Sequence, residues 1–417
     1  MVLAAKNAKS AKKAWPMVRL GDVCEFRRGL TYKKSDEVEY SSNIVLRSNN
    51  VSLESGALDF SELKYIRESI EIPSEKRVVK DSILMCMANG SKSHLGKVAL
   101  IEEDFGYAFG GFMGLLVPQG IEPGYLHFAL KSGHFKRLIE QLQDGANINN
   151  LKFADIEDYS FPLPPLSVQR EIVARLEKEL GEADALAAKF KEIAENADAE
   201  FKAELDETFK ELEGDVSPRC ERVKLGEVLK TPPRNGYSPK PVPYETKTKR
   251  LTLTATTSGY FKPQEYRYIA EEIPKDSYLW LIPGDLLVQR SNSLDYIGTS
   301  CIFTGEPGEY IYPDLMMKLV PLDCLNVRFA DYALKTTSAH LYFQQHASGA
   351  AGSMPKINKE TVMNLELFLP PLKSQHTIVA RLDKAKEKCE KLKAAAERGL
   401  RAAEDLRKAI LAEAFEQ

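Results

Sequence analysis

No apolar run in the 417 residues approaches the roughly 18 needed to cross a bilayer. The first residues, MVLAAKNAKSAKKAW, carry lysines but no apolar centre, which excludes a secretion signal; residues 1–14 read as a disordered basic tail. The six cysteines (24, 86, 220, 301, 324 and 389) form no CxxC pair. That argues against a zinc site or a disulfide scaffold and suits a reducing cytoplasm. The six histidines are equally scattered; His340 and His346 lack a third ligand at usable spacing and read as ordinary side chains. Catalytic motifs are missing too. Gly90-Ser-Lys-Ser-His-Leu-Gly96-Lys97-Val98 is one residue too long for a phosphate loop, and Val98 stands where a hydroxyl would hold Mg²⁺. There is no GxGxxG opening a helix, no HExxH and no GxSxG. Thr231-Pro-Pro-Arg234 lacks both the amide and the aromatic residue of an amino-methyltransferase motif. An unrecognised nuclease or hydrolase would need a carboxylate cluster, and none has a credible spacing.

What is present is said twice. Residues 162–176, PLPPLSVQREIVARL, return at 369–382 as LPPLKSQHTIVARL. Val18-Arg-Leu-Gly-Asp-Val23 returns as Val223-Lys-Leu-Gly-Glu-Val228, Asp81-Ser-Ile-Leu-Met85 as Asp285-Leu-Leu-Val-Gln289, Leu116-Val-Pro118 as Leu319-Val-Pro321, and Ala129-Leu-Lys131 as Ala333-Leu-Lys335. Five blocks keep their order at an offset of 203–206 residues, so the chain is a tandem duplication, with a period far too long for a solenoid.

Each copy reads as a mixed α/β (α+β) globular part followed by one long helix. The boundaries fall at 15–163 and 164–215 in the first copy, and at 216–369 and 370–417 in the second. Ser42–Leu46, Lys97–Ile101 and Leu279–Ile282 read as strands, and Tyr125–Leu130 and Phe329–Leu334 as short helices. Beyond each Pro-Pro pair, apolar residues recur in steps of three and four: Ile172, Leu176, Leu180, Ala183 and so on to Leu212, then Ile378, Leu382, Ala385, Cys389 and so on through Leu406 to Ala414. A narrow stripe over about 45 residues, some 70 Å of helix, is not stable alone and demands a partner. Charge supplies one. The net charge of −3 hides a segment at 166–215 with 7 basic and 15 acidic residues and one at 372–417 with 11 basic and 8 acidic. The two helices are natural partners, and the intervening globular part makes an antiparallel coiled coil the simplest geometry. Pro164-Pro165 and Pro370-Pro371 hold the chain extended and mark where each helix starts, with Ser167 and Ser374 as N-cap or first-turn residues. Gly399, deep in the second helix, permits close approach or a slight bend.

Polar, loop-like stretches complete the pattern, the second and third of each copy at matching places. Arg47-Ser-Asn49-Asn, Asn89-Gly-Ser-Lys92-Ser93-His and Gly145-Ala-Asn147-Ile-Asn149-Asn-Leu-Lys152 lie in the first copy. Lys247-Thr-Lys249-Arg250, Arg290-Ser-Asn292-Ser293 and Ser348 to Lys356, including Ser353, lie in the second. These side chains are the ones that reach base edges and phosphates in DNA. Two copies that keep their frame and vary their loops should read different ligands.

The paired phrases Leu163-Pro-Pro-Leu-Ser-Val-Gln169 with Ile172-Val-Ala-Arg-Leu176, and Leu369-Pro-Pro-Leu-Lys-Ser-Gln375 with Ile378-Val-Ala-Arg-Leu382, together with the closing Leu406-Arg-Lys-Ala-Ile-Leu-Ala-Glu-Ala-Phe415, resemble the specificity subunit of type I restriction–modification systems over essentially the whole chain. The resemblance implies two target-recognition domains, each reading half of a split double-stranded DNA site, held apart by the helix pair acting as a ruler. It implies two methyltransferase subunits as partners, with a restriction (translocase) subunit as a further one. It also implies no catalysis and no cofactor in this chain: S-adenosylmethionine would belong to the methyltransferase, and ATP and Mg²⁺ to the motor subunit. A different reading of the residues is a coiled-coil adaptor bearing two peptide- or glycan-binding domains.

Overall fold

The computed structural model describes residues 15–53, 56–146, 150–213, 220–349 and 354–415. The basic tail at 1–14 lies outside them. The chain divides into two compact units, Met1–Phe190 with Arg398–Gln417, and Lys191–Glu397.

In the first unit two four-stranded sheets are formed. One runs Cys24–Arg28, Met113–Pro118, Ile83–Cys86, Val98–Leu100, all antiparallel. The other runs Glu37–Val38, Lys64–Ile66, Asn43–Leu46, Ala108–Phe109, its last pair parallel. Every residue of Ile83–Cys86 is buried, as expected of a continuous apolar run in an interior strand. Helices α1 (Pro123–Lys131), α2 (Gly133–Ala146) and α3 (Phe153–Ile156) follow. Met17–Arg19 pairs with Ser160–Pro162, so the globular part closes on itself just before Pro164.

Helix α4 (Leu166–Glu213, 48 residues) begins there, with the Pro165 carbonyl accepting from the Val168 and Gln169 amides. Ser167 therefore occupies the first turn. Leu176 and Leu180 of α4 enter the core of the first unit with Tyr125, Phe135, Phe161, Ala414 and Phe415.

The second unit repeats this plan. Arg234–Asn235, Met316–Leu319, Leu286–Gln289 and Ser300–Ile302 form one sheet; Pro241–Val242, Tyr266–Ile269, Thr248–Leu251 and Tyr310–Ile311 form the other, again with the last pair parallel. Helices α5 (Val327–Leu334), α6 (Thr337–Gln345) and α7 (Lys359–Met363) follow, Glu221–Lys224 pairs with Glu366–Leu369, and α8 (Leu372–Phe415, 44 residues) starts after Pro371.

In each unit the two long helices pack antiparallel. In the first, Arg175 pairs with Glu413 (3.5 Å) and Asp184 with Arg407; in the second, Asp198 pairs with Lys393 (2.8 Å), Glu200 with Lys388 (2.6 Å) and Glu211 with Arg381 (3.3 Å). All but the first of these set an α4 acid against an α8 base, as the opposed charges suggested. Exposed pairs each contribute at most about 1 kcal/mol, so they set register while the apolar stripe supplies the stability.

Three details differ from the sequence reading. Leu279–Ile282 is not a strand but makes one isolated bridge, Trp280 to Ile311, because its Leu279, Trp280 and Ile282 amides bond locally, to Ser277 and Asp285. Lys247–Arg250 is not a loop: Thr248–Leu251 is an inner strand. Leu406 is 46% exposed; the seam steps from Ala403 by four to Arg407, which pairs with Asp184.

Gly399 behaves as expected. A Cβ there would overlap the ring of Phe190. Alanine normally stabilises a helix interior by about 1 kcal/mol over glycine, but overpacking costs about 1–3 kcal/mol. Gly399→Ala should therefore lower stability in urea melts, and adding Phe190→Leu should restore it. A Gly399→Ala chain more stable than the parent would contradict this packing.

Candidate nucleic-acid interface

In the first unit the predicted loops meet. Asn43–Leu46 leads into Arg47–Asn50, and Ile83–Cys86 into 87–94. The Asn89 side-chain amide donates to Ser48 Oγ at 2.7 Å, tying the two loops together. Ala88 bridges to Asn150, and the Leu151 amide donates to the Met87 carbonyl at 2.7 Å, bringing in the third loop. The second unit repeats the bonds with other residues. Ser291 bridges to Lys356, and the Ile357 amide donates to the Arg290 carbonyl at 2.8 Å. Asn292 donates to Gln289 Oε1 at 2.7 Å, and the buried Gln289 amide donates in turn to the Leu253 carbonyl, Thr256 Oγ1 and Thr257 Oγ1 at 2.8–3.1 Å.

The predicted residues thus separate by role. Lys92 and Ser93 lie exposed on a single 3-10 turn whose Lys92 carbonyl accepts from Gln143. Ser293, Lys152 and Lys356 are also exposed. Arg47 and Asn49 both face Glu62, at 3.8 and 3.2 Å. Asn89 and Asn292 are loop braces: each also accepts a backbone N–H at 2.8 Å, from Ser91 and Ser293. Lys249 and Arg250 stand outside the cluster. Lys249 bonds Glu309 at 2.6 Å, which raises its pKa, and lies over the Tyr266 and Tyr310 rings. Arg250 donates to the Pro239 carbonyl at 2.8 Å, and burial lowers its pKa. The counterpart of Arg47–Asn50 is instead Thr252–Ala255, one turn farther along. Asn147, Asn149 and Ser353 lie outside the described residues.

The family model for the type I restriction modification DNA specificity domain matches residues 12–193 and again residues 220–398. The chain belongs to this family. Two similar proteins are the EcoKI specificity subunit of Escherichia coli K12 and the StySPI specificity subunit of Salmonella potsdam. Each is 26% identical, over 98% of this chain and 90% of its own length. A chain from a solved type I restriction–modification system, described for its complex assembly and conformational transition, superposes with a TM-score of 0.75 at 20% identity, covering 96% of this chain and 97% of that one. The HsdS subunit of Thermoanaerobacter tengcongensis gives 0.54 at 19% identity, covering 97% of each. At these identities the superpositions establish a shared fold. The family match leaves the adaptor reading unfavoured.

In this specificity-domain protein a further pair of loops, missed from sequence, joins each cluster. In the first unit the Met87 and Ala88 amides both donate to the Phe112 carbonyl (2.9 and 3.1 Å), and the Leu30 amide donates to Phe109 (2.7 Å), placing Thr31–Lys34 alongside. In the second, the Arg290 amide donates to Leu315 and the Tyr237 amide to Tyr312, both at 2.9 Å, and Ser238 bonds Asp314. A signal was available: Gly29 and Gly236 recur 207 residues apart, and a side chain at either would overlap the carbonyl of Gly110 or Tyr312. Arg47 Nε, Arg290 Nε and Ser291 Oγ in these clusters are buried without a hydrogen-bond partner, as are His127 Nε2, Asn235 Oδ1 and Arg250 Nε elsewhere among the described residues. Burial raises the pKa of Cys86, behind the cluster.

Proposed function

We propose that this chain is the DNA-recognition subunit of a type I restriction–modification assembly, each unit reading one half of a bipartite double-stranded site. The observation that carries the reading is the pair of loop clusters: one bonding skeleton, Leu151 to Met87 and Ile357 to Arg290, dressed with different side chains. Exposed lysines such as Lys92, Lys152 and Lys356 suit phosphates, which position the protein, while arginine, amide and hydroxyl groups suit base edges, which specify sequence. Two methyltransferase subunits would meet the repeated parts of the frame, and a restriction subunit would join them. Catalysis, S-adenosylmethionine, ATP and Mg²⁺ belong to those partners, and the setting is the cytoplasm. Long-read methylome sequencing of the host with and without this chain is the test. A single bipartite motif should vanish with the chain, and an unchanged methylome would overturn the reading.

Arg290 supports a sharper expectation. Its NH1 reaches the Asp314 carbonyl at 3.3 Å, which aims the guanidinium along the cluster edge. Losing a good bidentate base contact costs about 1–3 kcal/mol. Arg290→Ala should slow methylation roughly ten- to hundredfold and relax only the half-site of the second unit. Equal loss of discrimination at both halves, or none, would remove Arg290 from the interface.

A further inference from the structure

Phe112 is 71% exposed, on a turn held rigid from both sides. Its carbonyl accepts the Met87 and Ala88 amides, the Met113 amide donates to Gly110 at 2.8 Å, and the Gly29 backbone lies so close to Gly110 that no side chain fits between them. The backbone therefore presents the ring and cannot fold it inward without breaking these bonds. Its backbone lies beside Ala88, whose neighbour Asn89 braces the Arg47 loop and whose bridge partner is Asn150. The matched turn of the second unit carries no ring: Gly110-Gly-Phe112-Met113 is matched by Pro313-Asp-Leu315-Met316, where Leu315 is half-buried and Asp314 is exposed.

We infer that Phe112 is a specificity residue of the first unit that inserts its ring against the base stack of the first half-site, and that the second unit makes no such contact from its matched turn. The inference rests on the DNA-recognition reading above. An exposed ring on a loop cluster that also carries amide and hydroxyl side chains such as Asn89 and Ser48 matches a duplex, whose apolar surfaces are base faces and thymine methyls behind a charged backbone. Apolar side chains that enter a duplex partly unstack a base step, at a cost that depends on the step, so the wedge itself discriminates sequence.

The test uses the full chain assembled with its methyltransferase partner, on duplexes carrying the mapped target with 2-aminopurine placed in turn at each position of the first half-site away from the methylated base, which the methyltransferase itself extrudes. Wild type should raise 2-aminopurine fluorescence at one step. Phe112→Ala should abolish that rise and slow methylation at least tenfold, with the melting curve and the second half-site preference unchanged; Phe112→Leu should keep most of both. A rise that survives in Phe112→Ala, or methylation within twofold of wild type, overturns the inference. So does loss of methyltransferase assembly in Phe112→Ala, which would make the ring a protein contact. Failure of the wild-type assembly to methylate any bipartite site would instead overturn the parent reading.

Discussion

Matched four-residue insertions in α4 and α8 should lengthen the gap of the DNA target by about two base pairs and abolish methylation at the original site. Both helices run unbroken from one unit into the other, 48 and 44 residues long. Four residues add about 6 Å at 1.5 Å per residue, close to two base-pair steps of roughly 3.4 Å. Four residues are also slightly more than one turn, so the apolar stripe stays nearly in phase. An insertion in one helix alone does not suffice, because the contacts require both. In the first unit Arg175 and Asp184 meet Glu413 and Arg407; in the second Asp198 and Glu211 meet Lys393 and Arg381. An insertion placed only between Asp184 and Asp198 lengthens one side of an antiparallel pair and forces one unit's seam out of register, removing leucines such as Leu180 or Leu205 from their cores. A second insertion between Lys393 and Arg407 keeps both seams intact. The measurement is the methylated motif of the doubly lengthened chain. An unchanged gap would show that the helices do not set the spacing.

The parts of this fold legible in the sequence are those written in local periodicity. The stripes of α4 and α8, the Pro-Pro junctions and the duplication follow from spacing alone, and the strands at Asn43–Leu46 and Val98–Leu100 from short β-branched or apolar runs bounded by turn residues. What stayed hidden depends on non-local pairing. Thr248–Leu251 looks like a polar loop, yet it is an inner strand because Tyr266–Ile269 and Tyr310–Ile311 flank it. Leu279–Ile282 looks like a strand, yet local bonds to Ser277 and Asp285 take most of its amides and leave it a single bridge. The same limit governs the interface. Polar composition picked out the loop around Arg47, and repeat matching those around Asn89 and Arg290, but only the pairing of Met87 and Ala88 with Phe112 brings in the turn that exposes an aromatic ring. Nor does sequence separate braces from readers: Asn89 and Asn292 look like base readers, and each commits a donor and an acceptor to holding its loop.

Replacing either glutamine of the repeated phrase should be among the most damaging single changes outside the apolar core. Gln169 is 1% exposed and Gln375 is fully buried. Gln169 Oε1 accepts the Glu122 amide at 2.8 Å, at the start of α1, and its Nε2 donates to the Pro164 carbonyl at 2.7 Å. Gln375 does the same one copy later: it accepts the Asn326 amide at 2.8 Å, at the start of α5, and donates to Pro370 at 2.8 Å and Cys324 at 2.9 Å. A chain that turns at Pro-Pro into a helix leaves a carbonyl without an intrahelical partner, and the neighbouring short helix leaves an amide; one side-chain amide, with an acceptor and donors on one planar group, satisfies both. Leucine fits the volume and satisfies neither. Each buried group left unpaired costs about 1–3 kcal/mol, so Gln169→Leu or Gln375→Leu should each lose roughly 2–5 kcal/mol. For units of this size that is a fall in melting temperature of roughly 5–15 °C. Glutamate should do no better, because it keeps the acceptor while turning a second oxygen toward the proline carbonyl. The two sites lie in different units and share no partner, so the double variant should lose the sum of the single losses. A Gln375→Leu chain melting within about 2 °C of the parent would mean that the phrase recurs for a reason other than this clamp. If the clamp holds, the repeated words PPL…Q…IVARL have a physical meaning: each copy joins a reading domain to its helix through one buried amide, so that a change in helix length is carried to the loops of that unit.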